Sequence, residues 1–279
     1  MIIINFILYK VCFILYKYTM SLSNETKVNL LLQDWPLGTV SATSWLNQKG
    51  YSNQLLNRYK KSRWLESFET GALRRVGDSV GYEGAIYTLQ HQLALSIHPG
   101  GRAALSLLGK AHYLELAQSK VDLFGAEKEM LPAWCKNADW GIKLVYHQSS
   151  FLPAEMGMTE VTVKSFSIKV SSAARAMMEC LYLATNSQDL VECYQLMEGM
   201  NNLRPNLVQQ LLEQCNSIKV KRLFLYMAEK ADHQWVQYLT IEEIDLGKGK
   251  RSFVKNGSYV PKYQITVPKE MEENGKQTL

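Results

Sequence analysis

Gly38-Thr39-Val40-Ser41-Ala42-Thr43-Ser44-Trp45-Leu46, followed by Gly50-Tyr51-Ser52 and Leu55-Leu56-Asn57-Arg58-Tyr59-Lys60-Lys61, is the stretch that decides the fold. Ser41 or Thr43 can cap a short helix carrying Trp45 and Leu46, Gly50 suits its C-terminal turn, and Ser52 can cap the next helix. Trp64 to Val76 then alternates well enough for two strands joined at Glu69-Thr70-Gly71. Two short helices at a turn followed by a small hairpin outline a winged helix-turn-helix. From Gly38 to Val76 seven basic residues (Lys49, Arg58, Lys60, Lys61, Arg63, Arg74, Arg75) face two acidic ones (Glu66, Glu69). The net +5 equals the formal charge of the whole 279-residue chain, so the basic excess sits where a DNA reader needs it.

The helix from Asn53 shows why. At ~100° per residue, Leu55, Leu56 and Tyr59 share one arc, which can pack on the preceding helices. Asn53, Gln54, Asn57, Arg58, Lys60 and Lys61 occupy the other, with no acid among them. Amides can pair with adenine edges, and Arg or Lys with guanine. Solvated helix faces usually mix both signs of charge, so this arc reads as a DNA-recognition face. Arg74 and Arg75 on the return strand suit phosphates or the minor groove. The expected DNA-facing set is Ser41, Ser52, Asn53, Gln54, Asn57, Arg58, Lys60, Lys61, Arg63, Arg74 and Arg75.

Outward from this segment, Val28, Leu31, Leu32 and Trp35 give a helical spacing over Asn24–Trp35, ended by Pro36 and Gly38. Before it, Met1 to Tyr18 is rich in Ile, Phe, Leu and Tyr, but Lys10 and Lys17 interrupt it before an apolar run reaches ~20 residues. A basic leading region and a small-residue cleavage site are missing. Met20 is read as the initiator and residues 1–19 as a mis-annotated or disordered extension. Five cysteines (Cys12, Cys135, Cys180, Cys193, Cys215) with no CxxC pair point to buried free thiols and a cytoplasmic setting.

After a helix over Gly81–Leu95 and a short one at Ala103–Leu108, strands are expected at Lys120–Phe124, Ile142–His147 and Thr159–Val170. Helices are expected at Ala173–Ala184, Ser187–Met197, Asn206–Gln214 and Lys219–Glu229, and the tail alternates over Gly257–Val267. The expected architecture is α+β. Residues 20–95 form the winged helix-turn-helix domain, and residues 96–279 a larger mixed α+β domain.

That larger part offers no convincing active site. His98-Pro99-Gly100-Gly101-Arg102 lacks P-loop spacing and reads as a structural turn. Gly247-Lys248-Gly249-Lys250-Arg251 reads as a basic hairpin turn. Glu242, Glu243 and Asp245 have no nearby histidine and read as a solvated face. His91, His98, His112, His147 and His233 are scattered, with neither HExxH nor GxSxG among them. Glu127-Lys128-Glu129 and Glu160 with Lys164 are faint echoes of nuclease groups. The clusters Lys219-Val220-Lys221-Arg222 and Lys248–Arg251 read equally as a surface for an anionic partner or as solvated lysines. No catalytic residue, cofactor or metal is expected.

The segments Gly38-Thr39-Val40 through Gly50-Tyr51-Ser52-Asn53-Gln54-Leu55-Leu56-Asn57-Arg58-Tyr59, with Trp64-Leu65-Glu66, resemble the N-terminal winged-helix domain of the AbiEi-type antitoxins. These are transcriptional regulators of type IV toxin–antitoxin and abortive-infection systems. The resemblance continues at His98-Pro99-Gly100-Gly101-Arg102-Ala103-Ala104-Leu105, Leu108-Gly109, Ala111-His112-Tyr113-Leu114, Val170-Ser171-Ser172-Ala173-Ala174-Arg175-Ala176 and Pro261-Lys262-Tyr263-Gln264-Ile265-Thr266-Val267-Pro268. No one block is diagnostic; their shared order carries the match, and the extension before Met20 departs from it. The resemblance implies a repressor of bacterial origin that binds inverted repeats in its own promoter as double-stranded DNA. A monomer that binds DNA cooperatively is expected, with no membrane partner. The resemblance also implies a C-terminal domain that counteracts a cognate nucleotidyltransferase-like toxin, with no stable complex required. Carried over by position, Ser52, Asn53, Gln54, Asn57, Arg58, Lys60 and Lys61 lie on the DNA side. The alternatives are a nuclease-related enzyme targeted by the winged helix and a protein-interaction module.

Overall fold

The computed structural model describes residues 27–110 and 120–273. The expected start at Met20, the helix start at Asn24, Cys12 and the block from Ala111 to Leu114 lie outside the described residues.

Helix α1 (Lys27–Gln33) buries Val28 and Leu31. Strand β1 (Ser41–Ala42) leads into α2 (Thr43–Gln48) and α3 (Asn53–Lys61), and β2 (Leu65–Glu69) and β3 (Ala72–Arg75) complete the wing. The sheet order is β1-β3-β2, antiparallel throughout, with Ala42 opposite Ala72 and Glu66 opposite Arg74. A register shift between Ser67 and Glu69 bends the wing. The apolar faces enclose a separate small core of Val28, Leu31, Trp35, Leu46, Leu56, Tyr59, Leu65 and Leu73. This is a winged helix-turn-helix built as the alternating and helical spacings require.

Helix α4 (Tyr82–His91) docks this unit on the rest of the chain. A Cβ on Gly84 would lie 1.9 Å from the Gly38 carbonyl oxygen, so only glycine permits the approach. One turn on, Thr88 Oγ1 donates to the Val40 carbonyl at 2.6 Å. A further turn on, Gln92 Oε1 accepts from Ala42 N at 2.9 Å and Ser41 Oγ at 3.1 Å. Positions i, i+4 and i+8 of a helical row thus meet alternate residues of an extended segment, matching the helix rise to the strand rise. Ala85, Ile86 and Leu89 of the same helix enter the large core.

In the larger part, β4 (His98–Pro99), α5 (Gly101–Leu107), β5 (Lys120–Gly125), α6 (Ala133–Asn137) and β6 (Lys143–Gln148) form one block. Here β4 runs antiparallel to β5, and β5 parallel to β6. The single strand expected over Thr159–Val170 is instead a hairpin, β7 (Met158–Val163) and β8 (Phe166–Ser171). Lys164, at φ +55°, takes the left-handed turn position. Side-chain alternation continues across a two-residue turn, and no Gly or Asn marks it.

Helices α7 (Ala173–Leu183), α8 (Ser187–Glu198), α9 (Pro205–Gln214) and α10 (Ile218–Lys230) complete the core, with α7 buried from Ala174 to Leu181 and α10 from Val220 to Ala228. Short 3₁₀ turns at Gln234–Tyr238 and Ile241–Glu243 lead to β9 (Arg251–Ser252), β10 (Ser258–Val260), β11 (Ile265–Val267) and α11 (Lys269–Glu273). The last sheet has order β10-β11-β9, with β9 parallel to β11. No described helix is long and apolar enough to cross a membrane.

Candidate nucleic-acid interface

The turn between α2 and α3 is set by backbone chemistry. Gly50 sits at φ +86°, its N–H donates to Asn47 O at 3.0 Å, and Tyr51 N–H donates to Leu46 O at 3.0 Å. Ser52 then caps α3, its Oγ accepting from Leu55 N at 3.3 Å. At the far end Arg63 N–H donates to Lys60 O and Trp64 N–H to Tyr59 O, a Schellman closure with Arg63 in the left-handed position at φ +56°.

Between these caps α3 divides cleanly. Leu56 and Tyr59 are buried in the small core with Leu55 half-buried, whereas Ser52, Asn53, Gln54, Asn57, Arg58 and Lys61 are exposed and Lys60 is half-buried. Burial raises the Tyr59 phenol pKa above its ordinary value, consistent with its inward side. Among the described residues, Arg58, Lys60, Lys61 and Arg63 have no acidic partner within ion-pair distance. Lys49, at the end of α2, lies over the Trp45 ring at 5.6 Å.

Three expected DNA-facing residues are placed differently. Ser41 is fully buried and donates to Gln92, because β1 pairs with β3 on one side and meets the end of α4 on the other. Arg75 turns inward, its guanidinium donating to the carbonyls of Leu32 and Trp35. It closes the C-terminal end of α1, and burial holds its pKa below the ordinary guanidinium value against the opposing pull of Asp78. Arg74 is half-exposed, paired with Glu66 at 2.7 Å and lying over Phe68 at 5.7 Å. Strand register explains the difference: neighbours on β3 point to opposite faces, so the two arginines cannot both face outward.

Several other sites weighed on sequence are engaged within the fold. Glu179 on α7 is fully buried and accepts from Arg175 Nε at 2.8 Å, Ser171 Oγ at 2.9 Å and Gly101 N at 2.9 Å, with His98 Nε2 at 3.5 Å. The anion held by the Gly100-Gly101 turn is therefore the protein's own carboxylate. This hub joins the His98–Leu105 and Val170–Ala176 blocks. Glu129 is spent on Ser96 N and Oγ, both at 2.8 Å. Asp122 pairs with His147 at 2.8 Å and Lys120 at 3.2 Å. Lys221 and Arg222 are buried, so Lys219–Arg222 is not a basic surface patch. Cys135, Cys180, Cys193 and Cys215 are buried free thiols. Among the described residues no group of three or more His, Cys, Asp or Glu is placed to hold a metal ion.

Sequence reasoning missed the docking row Gly84, Thr88 and Gln92. Its small-polar-polar spacing of four, Gly84, Thr88 and Gln92, was the available signal. It also missed Glu179, which has no local pattern around it.

A winged helix-turn-helix carried on an α+β body is thus the class that fold and face define. The model of the transcriptional regulator AbiEi antitoxin of type IV toxin–antitoxin systems matches residues 118–268, and its N-terminal domain model matches residues 24–116. The chain belongs to the AbiEi antitoxin family of transcriptional regulators. A comparison with curated proteins found no match. Among solved structures, the RV2827C protein from Mycobacterium tuberculosis is similar with a TM-score of 0.55 at 11% identity, over 86% of this chain and 89% of that one. At that identity the likeness concerns the fold alone.

Proposed function

We propose that this antitoxin represses its own operon by docking α3 in the major groove of promoter inverted repeats and counteracts a cognate nucleotidyltransferase-like toxin. The observation that carries the reading is the outer face of α3, whose amides and cations have no acid opposing them among the described residues. Asn53, Gln54, Asn57 and Arg58 read base edges, while Lys60, Lys61 and Arg63 neutralise phosphates. Arg74 serves at the wing once it exchanges Glu66 for a phosphate. Residues 20–95 act as the reading unit and residues 96–279 as the antitoxin unit. Monomers bind adjacent half-sites cooperatively, and neutralisation needs no stable complex with the toxin.

Binding of the full chain to the DNA upstream of its own gene, measured across a salt series, tests the reading. Affinity should fall steeply with salt, each neutralised phosphate adding ~0.9 to the log–log slope. Arg58→Ala and Asn57→Ala should each cost about 1–3 kcal/mol at the promoter and less on random DNA. Equal losses on both would remove the base-reading role. For the toxin arm, co-expression with the adjacent reading frame should restore growth. Failure of the intact chain to do so would refute that half alone.

A further inference from the structure

The basic turn Gly247–Arg251 is used by neither α3 nor the core. Behind it lies Arg222 of α10, only 2% exposed, with no carboxylate partner among the described residues. Its guanidinium donates instead to the carbonyls of Leu246 at 2.7 Å, Gly249 at 2.7 Å, Gly247 at 3.1 Å and Gln264 at 3.3 Å. A buried cation is costly without a counter-ion, so carbonyl dipoles hold this one while its charge stays uncancelled. Arg251 adds like charge: burial first, then Arg251, lowers the Arg222 pKa. The arrangement turns the loop carbonyls inward. Lys248, Lys250, Arg251 and Lys255 are exposed and have no ion-pair partner among the described residues. The adjacent Asp245 carboxylate is engaged by Gly247 N at 2.8 Å.

The strand register sorts the neighbouring side chains. Ser252, Thr266 and Tyr259 form one row across β9, β11 and β10, and so share a face. Arg251, Ile265 and Val260 form the next row, and Ile265 is buried, so the first row faces outward. Lys250 precedes Ser252 by two and joins the outer face, its ammonium 5.1 Å from the Tyr259 ring centroid. Tyr259 is 43% exposed. The face therefore offers an aromatic ring with the Lys250 cation beside it, and the Thr266 hydroxyl, on a hydrogen-bonded sheet.

Cations alone would suit any polyanion, but an exposed ring among them is useful to a ligand whose base faces are free. In a duplex those faces are stacked and hidden. We infer that the outer face of β9–β11 binds a single-stranded polynucleotide, with Tyr259 stacking an unpaired base, Lys250 beside it neutralising a phosphate and Lys255 of the following exposed loop neutralising another. Single-stranded RNA and DNA share this chemistry. The site is independent of promoter reading by α3.

The test uses the full chain carrying Arg58→Ala and Lys61→Ala to weaken the α3 contribution. Fluorescence anisotropy follows labelled oligouridine and oligothymidine of about 15 nucleotides, within the reach of small single-strand binding folds, and a duplex of equal length. Single strands should bind more tightly than the duplex. Tyr259→Ala should weaken them roughly 5- to 150-fold, whereas Tyr259→Phe should retain affinity. Lys255→Ala, in an exposed loop, should lower the salt slope by ~0.7. Tighter binding of oligouridine would identify RNA as the ligand, and equal binding would support either strand. Duplex binding as tight as single strands with Tyr259→Ala silent, or no single-strand binding, would overturn the inference. The phenylalanine and loop variants separate loss of contact from loss of fold.

Discussion

At the scale of single residues, sequence-adjacent cations serve different ends. Arg75 closes α1 through two carbonyls, so Arg75→Ala should leave buried acceptors unpaired and destabilise by about 1–3 kcal/mol. Thermal melting checks this, and an unchanged midpoint with weaker DNA binding would reverse the assignment. Arg63 presents the opposite trade. Its left-handed backbone, at φ +56°, costs a non-glycine residue about 1–2 kcal/mol, so Arg63→Gly should raise the melting temperature while weakening promoter binding. A stability gain with unchanged affinity would remove Arg63 from the interface. In the core, burial alone would raise the Glu179 pKa, but its bonds to His98, Arg175 and Ser171 outweigh this and lower it below its ordinary 4.5. Its stabilising contribution is therefore complete above that value and is lost as pH falls through the lower folded value. Glu179→Gln should flatten the acid limb of a melting-temperature profile; an unchanged limb would contradict the hub role. Glu179→Ala should cost about 3–5 kcal/mol by leaving Arg175 buried and unpaired.

At the scale of elements, the turn before α3 depends on backbone freedom alone. A Cβ on Gly50 would meet nothing within 4 Å, yet the residue sits at φ +86°. Gly50→Ala should therefore cost about 1–2 kcal/mol with no packing term, read as a lower denaturant midpoint with an unchanged slope. Helix α3 itself was legible because its apolar arc, capping serine and amide-cation arc all agree. The β7–β8 hairpin was not, because Lys164 rather than a glycine or asparagine holds its left-handed turn position. Nor was the Lys219–Arg222 cluster, where three basic residues among four look like a surface until α10 is packed on both sides.

At the scale of the whole molecule, a small core of eight buried residues among those described sits beside one continuous larger core. Local opening should be easier where fewer apolar contacts resist it. Amides of α2 and α3 should exchange with deuterium faster than those of α7 and α10, and equal protection would show a single cooperative unit. The join between the parts is the row of Gly84, Thr88 and Gln92 against Gly38, Val40 and Ala42. Gly84→Ala should force α4 away from Gly38 O, producing a lower melting temperature and faster exchange in β1. The sequence by itself determined the winged helix-turn-helix, the α+β class and the face of α3, because helix and strand periods, caps and local charge are properties of neighbours along the chain. Only the tertiary structure decided that Ser41 and Arg75 turn inward, that Glu179 is the anion in the glycine turn, and that Arg222 lies beneath a basic loop. Burial and hydrogen bonding between segments many residues apart are set by how the elements pack, and that leaves no mark in the local pattern.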